Sequence, residues 1–160
     1  MVAAVDIDGV LADVRHRLHH VTRNPKDWGA FFAAASEDPV LEQGRETVVR
    51  LGEVFDIVYL SGRPERCRDD TEGWLRRHTL PAGPVHLRPS GDRRPARLLK
   101  VEVLNRLAAD RPVAVLVDDD PQVLEAARDA GYDVLPADWM HEAAADHEAL
   151  LQAQEVEGET

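Results

Sequence analysis

One cysteine, Cys67, among 160 residues excludes an internal disulfide framework and a cysteine-rich zinc site. Lysine is almost as scarce. Of nineteen basic residues only Lys26 and Lys100 are lysines, so Lys100 stands out as a candidate for a placed charge. No apolar run approaches the ~18 residues that a membrane span needs. Charge arrives at Asp6, too early for the apolar stretch of a signal peptide, so a cytoplasmic chain with no membrane partner is expected. Repeats and low-complexity tracts are absent as well.

What is there begins with an uneven charge. The total is -11, yet residues 63–100 hold ten Lys/Arg against five Asp/Glu, a local +5. Residues 138–160 hold seven acidic residues and no Lys or Arg. A broadly acidic surface argues against tight nonspecific duplex binding, but it leaves room for a basic funnel around one anionic group. The acidic end is expected to fray from about Gln152.

Five short apolar runs, Val2–Val5, Ile57–Leu60, Val85–Leu87, Val113–Val117 and Tyr132–Leu135, are continuous rather than alternating. Continuous runs suit strands buried on both faces of a parallel sheet. Segments with helical spacing lie between them: Val48/Leu51/Phe55, Cys67/Thr71/Trp74/Leu75/His78, Leu98/Val101/Leu104/Ala108 and Val123/Ala126/Ala127/Ala130. The expected fold is α/β, a Rossmann-like parallel five-stranded sheet with helices on both faces. Strand starts at 57, 85 and 113 are 28 residues apart, whereas Val2 to Ile57 spans 55, so about 27 extra residues follow the first strand. They read as a small cap at about residues 10–42 of a single domain, 1–160, placed beyond the carboxyl ends of the strands where such sheets bind ligands. Trp28, Phe31 and Phe32 fall in that cap, more as its core than as a stacking platform for a base.

The strand ends carry the chemistry. The first ends in Asp6-Ile7-Asp8-Gly9-Val10, the second in Ser61-Gly62-Arg63, Lys100 opens the helix after the third, and the fourth ends in Asp118-Asp119-Asp120. Carboxylates converging on one sheet edge repel unless a cation neutralises them, and an all-oxygen donor set suits a hard octahedral ion, Mg²⁺. Ser61, Arg63 and Lys100 add donors and positive charge. Together these groups describe a pocket for a phosphate dianion.

In order and type, DIDGV at 6–10, SGR at 61–63, Lys100 and VDDDP at 117–121 resemble the four motifs of the haloacid dehalogenase superfamily of phosphohydrolases. The resemblance implies Asp6 as nucleophile, forming an aspartyl-phosphate, and Asp8 as general acid and base. That second role calls for a raised pKa, which neighbouring carboxylates would supply. The metal is expected at the Asp6 side chain, the Asp8 backbone carbonyl, Asp118 and Asp119. Asp120 reads as a solvated helix N-cap before Pro121.

Finer detail resembles the phosphatase domain of polynucleotide kinase-phosphatases: the SGR motif, the segment Leu87-Arg88-Pro89-Ser90-Gly91-Asp92, and a lysine downstream. It implies removal of a 3′-phosphate from DNA or RNA ends. Ser61, Gly62, Arg63, Arg88 and Lys100 would contact substrate, and Arg17 of the cap would reach the phosphate, with Asp92 orienting the arginines. An arginine common in that branch is absent where Asp120 stands. No GxxxxGK[ST] loop occurs, so no kinase half is expected in this chain. Two alternatives stay open, a (deoxy)nucleotidase or general small-molecule phosphatase and, from another class, a phosphoacceptor signalling module. A signalling module would carry adjacent acids after strand one and its acceptor on strand three, which this sequence does not. His16, His19 and His20 read as exposed or packing residues rather than a metal site, and Cys67 as packing. Nothing in the residues sets an oligomeric state.

Overall fold

Parallel pairing of five strands puts the ends of the first and fourth side by side. A computed structural model describes residues 1–140 and 144–158. Strand β1 (Val2–Val5) is followed by a 3-10 turn at Arg15–Arg17, α1 (His19–Thr22), α2 (Trp28–Ala33) and a second 3-10 turn at Ala34–Glu37. Then come α3 (Glu42–Gly52), β2 (Asp56–Pro64), α4 (Arg68–Arg77), β3 (Val85–Arg88) and α5 (Ala96–Asp110). The chain continues through β4 (Val113–Asp118), α6 (Pro121–Asp129), β5 (Val134–Pro136) and α7 (Ala144–Glu157). The sheet order is β3-β2-β1-β4-β5, with every pair parallel. This is the expected α/β fold. The chain winds outward from β1 to β2 and β3, then returns to the other side of β1 for β4 and β5. That reversal makes the crevice beyond β1 and β4 the topological switch point, where open α/β sheets bind ligands.

The strand pattern explains the two layers. All four residues of β1 are buried. Ala3 and Val5 face a core shared with Val48 of α3 and Trp74 and Leu75 of α4, whereas Ala4 faces one shared with Val103 and Leu104 of α5 and Val123 and Ala127 of α6. Alternate residues of a strand point to opposite faces, so a strand with a helical layer on each side must be apolar at every position. The segment between β1 and α3 has a core of its own, in which Leu18, Phe31 and Phe32 pack with Cys67, Met140 and Leu150. Phe31 and Phe32 are core, Trp28 is partly buried against them, and Phe31 packs edge-on against both Trp28 and Phe32.

Two segments differ from the sequence expectation. The second strand runs on through Ser61-Gly62-Arg63 to Pro64, because Pro64 pairs with Arg88 of β3 after a register irregularity. The C-terminal segment does not fray from Gln152: α7 continues to Glu157. It is held by Leu150 and Ala153, both buried, and by ion pairs from Glu155 to Arg97 and from Glu157 to Lys26. No helix among the described residues is long and apolar enough to cross a membrane.

Trp74 ties the layers to the insertion. It is fully buried, and its Nε1 donates to the Asp38 carbonyl over 2.8 Å. Trp74→Ala is expected to lower unfolding stability by about 3–5 kcal/mol, the usual range for emptying a buried aromatic site. Chemical denaturation would show it as a lower midpoint. A loss within ~1 kcal/mol would mean that Trp74 is not the joint described.

Candidate active site

Backbone geometry delivers the first motif. β1 ends at Val5, and Asp6 continues onto the switch point with its N–H bonded to the Val117 carbonyl of β4 at 2.9 Å. Asp6 Oδ1 accepts from the Ile7 N–H at 2.7 Å, which fixes the carboxylate. Gly9 turns the chain with a φ of +77°, and a Cβ there would lie 2.1 Å from Asp119 Oδ2. The glycine of the DxDG motif is therefore required twice, for the left-handed turn and for the close approach of Asp119.

Three acidic side chains meet at this point. Carboxylate oxygens of Asp6, Asp118 and Asp119 lie within 4.8 Å of one another. Lys100, buried on α5, reaches Asp118 Oδ2 at 2.7 Å and Asp6 Oδ2 at 2.9 Å. Burial pushes the Asp6 pKa well above the ordinary range, and repulsion from Asp118 and Asp119 adds to it against the pull of Lys100. Asp118 rises to about 6, again through burial first. For Lys100, burial would lower the pKa, but Asp118 and Asp6 outweigh it and raise it. One lysine against three buried carboxylates leaves a deficit of positive charge, and every donor in the group is oxygen. The residues fit a hard divalent cation such as Mg²⁺. Among the described residues they form the metal-competent cluster.

Asp8 belongs to a second network and faces the cap. Arg17 Nη2 donates to Asp8 Oδ1 at 2.9 Å, and Arg63 Nη2 donates to the same oxygen at 2.6 Å. Behind them Asp38, buried and contributed by the insertion, accepts from Arg17 at 2.7 and 2.8 Å and from Arg63 at 3.3 Å. His16 closes the network, 2.6 Å from Asp38. This reverses one sequence expectation. The pKa of Asp8 is not raised: burial works in that direction, but Arg17 and Arg63 outweigh it and bring the value to about 2. Arg17 itself is fully buried, with Phe31 4.2 Å below its guanidinium. The Asp8 side chain is not part of the Asp6–Asp118–Asp119 cluster.

The remaining expected residues separate into those at the pocket and those around it. Ser61, Gly62, Arg63 and Lys100 line the catalytic pocket with Asp6 and Asp8. Ser61 is buried, and its Oγ accepts from the Arg63 N–H at 3.2 Å. Arg88 lies outside that pocket, and its guanidinium donates to the carbonyls of Gly62, Asp92 and Arg94. Arg88 therefore braces the Gly62 backbone. The Asp92 carboxylate pairs with Arg94 at 2.7 Å. Asp120 is an N-cap, with Oδ1 accepting from the Gln122 N–H at 2.9 Å. It is not solvated, however. It is buried, and Oδ2 has no protein partner.

Two participants were not foreseen in the sequence. Asp38 looks like an ordinary loop acid until the fold brings it to Arg17 and Arg63. His147 of α7 lies 2.5 Å from Asp119 Oδ2. With Leu150, Leu151 and Gln154 it forms one face of α7, and all four line the catalytic pocket. The spacing i, i+3, i+4, i+7 was legible as a helix face, but the polar and alanine-rich surroundings hid it.

A family model for the polynucleotide kinase PNKP phosphatase domain matches residues 1–138. The chain belongs to that family. Among solved structures it is similar to two chains of the Pnkp1/Rnl/Hen1 RNA repair complex, each 20% identical, with TM-scores of 0.70 and 0.66. Each match covers 84% of this chain, which spans 41% and 45% of those chains, less than half their length. A haloacid dehalogenase-like family hydrolase from Streptococcus pneumoniae is 12% identical with a TM-score of 0.57, covering 84% of this chain and 83% of that one. At these identities the structures share the fold. No curated protein matches the chain. The family match ends before α7, so His147 and its helix lie outside it.

If the acidic cluster is a metal site, Mg²⁺ should raise the melting temperature, and Asp118→Asn should remove most of that gain. Binding should tighten as pH rises through about 6, because Asp118 must lose its proton to become a ligand. Calorimetry with Mg²⁺ at several pH values measures both effects. Binding that is unchanged in Asp118→Asn would contradict the assignment.

Proposed function

We propose that the chain is a cytoplasmic Mg²⁺-dependent phosphomonoesterase, working through an aspartyl-phosphate on Asp6 and removing the 3′-phosphate from DNA or RNA ends. In this reading residues 1–160 act as one phosphatase unit with a small cap at about 10–42. The observation that carries it is the buried Asp6 carboxylate at the switch point, paired with Lys100 and lining one pocket with Ser61 and Gly62. Membership of the phosphatase-domain family supports the phosphoryl chemistry.

Asp6 is oriented by the Ile7 N–H, and once the burial and repulsion that raise its pKa are offset by a bound cation, the carboxylate attacks phosphorus without a general base. As its oxygen bonds to phosphorus, the bond to the leaving oxygen breaks and the electron pair leaves with that oxygen. Ser61 Oγ and the Gly62 backbone hold the transferring group, and Lys100 stabilises charge on its oxygens. A divalent cation held by Asp6, Asp118 and Asp119 with the Asp8 carbonyl would, when bound, neutralise the repulsion between phosphate and carboxylate. In the second half-reaction Asp8 takes a proton from water, whose oxygen attacks phosphorus and releases Asp6. Asp8 is ionised and free to accept that proton, although the pull of Arg17 and Arg63 makes it a weak base while they hold it. Its acid role, protonating the leaving oxygen, requires that Arg17 and Arg63 shift some of their hydrogen bonding to the substrate phosphoryl group. The substrate would thus weaken the grip that keeps Asp8 ionised.

A second reading is favoured by one feature. A cavity of about 470 Å³ adjoins the pocket at Asp119 and Asp120, bounded by Pro121, Met140 and Leu151. Its size suits a nucleoside. A nucleotidase would place its leaving group there.

Asp6→Asn should abolish turnover of every substrate, and Asp8→Asn should lose at least ~10²-fold. Arg63→Ala should reduce kcat/KM about ten- to hundredfold, and more on a 3′-phosphorylated oligonucleotide than on an aryl phosphate. The oligonucleotide reaction should weaken more steeply with salt, because the polymer releases condensed counterions. Steady-state kinetics on oligonucleotides, mononucleotides and an aryl phosphate across a salt series provide the comparison. Preference for mononucleotides with matching salt slopes would favour the nucleotidase.

A further inference from the structure

Helix α7 closes the catalytic pocket. With His147, Leu150, Leu151 and Gln154 seated over Asp6, Asp8, Ser61 and Lys100, the cavity is about 20 Å³, room for roughly one water molecule. A phosphoryl group with its oxygens does not fit. Substrate therefore enters only when α7 moves.

What holds α7 down is specific in charge. Glu155 pairs with Arg97 at 2.5 Å, one turn before Lys100 on α5. Glu157 pairs with Lys26 of the cap and accepts from Trp28 Nε1 at 3.0 Å. Just past the helix Gly158 turns with a φ of +62° and presses against the Arg93 backbone, where a Cβ would sit 2.2 Å from the carbonyl oxygen. Gly158 also closes a cavity of about 170 Å³ lined by Arg66, Arg88 and Arg93. The acidic C-terminal segment thus lies along the basic stretch of the chain, from the cap past the mouth of the pocket.

We infer that the surface beneath α7 is a docking track for the phosphates of a nucleic-acid strand, and that α7 is its internal competitor. Glu155 and Glu157 occupy cations that strand phosphates would take, while the His147 face fills the pocket that the terminal phosphate would enter. Strand and seated helix exclude each other, so a polyanion opens the site. A small phosphate ester offers one phosphoryl group against two separate ion pairs, so it does not drive the opening and enters only when α7 opens of itself. The inference rests on the nucleic-acid reading for the identity of the strand. The competition itself rests on the contacts of α7.

Hydrogen exchange on the intact protein with Mg²⁺ tests it, the probe being a short fluorescein-labelled single-stranded DNA ending in a 3′-hydroxyl. DNA should speed exchange in α7 and slow it around Arg93 and Arg97. In parallel, Glu155→Gln/Glu157→Gln should tighten the DNA Kd about three- to tenfold, the range expected for releasing two part-buried ion pairs of modest strength. Glu42→Gln/Glu46→Gln, the same charge change on α3, should alter it by less than about twofold. Several outcomes would overturn the inference: α7 slowed or unchanged by bound DNA, no DNA binding to wild type or the α7 variant, equal effects of the two variants, or oligoglutamate displacing α7 as well as DNA does. Turnover measured alongside separates the two readings. An enzyme that hydrolyses phosphate esters but ignores DNA keeps the chemistry and loses the track. A protein whose α7 yields to DNA but which releases no phosphate keeps the track and loses the phosphatase.

Discussion

Buried like charge is the constraint from which the rest of the site follows. Asp6, Asp8, Asp38, Asp118 and Asp119 meet three fixed cations, Arg17, Arg63 and Lys100, within one connected region. Asp8 and Asp38 are balanced by Arg17 and Arg63. Asp6, Asp118 and Asp119 share Lys100 and the His147 imidazole, an excess of carboxylate that suits a divalent ion. Burying unpaired charge is costly, so the arrangement persists only because each cation touches two carboxylates. Arg17 and Arg63 each bridge Asp8 and Asp38, and Lys100 bridges Asp6 and Asp118. The two acids of the DxD motif are thereby separated electrically. Asp6 faces the unsatisfied cluster, and Asp8 faces the satisfied one.

That division assigns different tasks to neighbours two residues apart. The backbone past the end of β1 supplies it: Asp6 stays tied to Val117 of β4, while Gly9 turns the chain away directly after Asp8. The insertion after β1 is then more than a cover. Through Arg17 and Asp38 it supplies half of the network that sets the charge of Asp8. A change in cap position would alter Asp8 directly, and the pairing of Trp74 with the Asp38 carbonyl links that position to the main core.

The sheet was legible because a doubly covered parallel strand must be apolar throughout, and Val2–Val5 or Val113–Val117 allow little else. The motif residues were legible because those of β1, β2 and β4 lie towards the carboxyl ends of their strands, where topology dictates convergence, and Lys100 faces them from the first turns of α5. Asp38 was not, since its importance arises from contacts with Arg17 and Arg63, 21 and 25 residues away. The state of Asp8 was misjudged for the same reason. Sequence proximity suggested the neighbouring carboxylates, whereas distant arginines dominate. For α7, composition suggested a loose acidic end. The basic groups that anchor it, Lys26 and Arg97, lie far away in sequence.

The central claim is that Asp6 becomes covalently phosphorylated and that Asp8 serves the water that releases it. Asp8→Asn mixed with an aryl phosphate whose leaving group needs no proton separates the two half-reactions. After an acid quench, mass spectrometry of the N-terminal peptide should show one added phosphoryl group on Asp6, formed with release of about one equivalent of phenol. Release of phenol together with free phosphate, leaving Asp6 unmodified, would contradict the account.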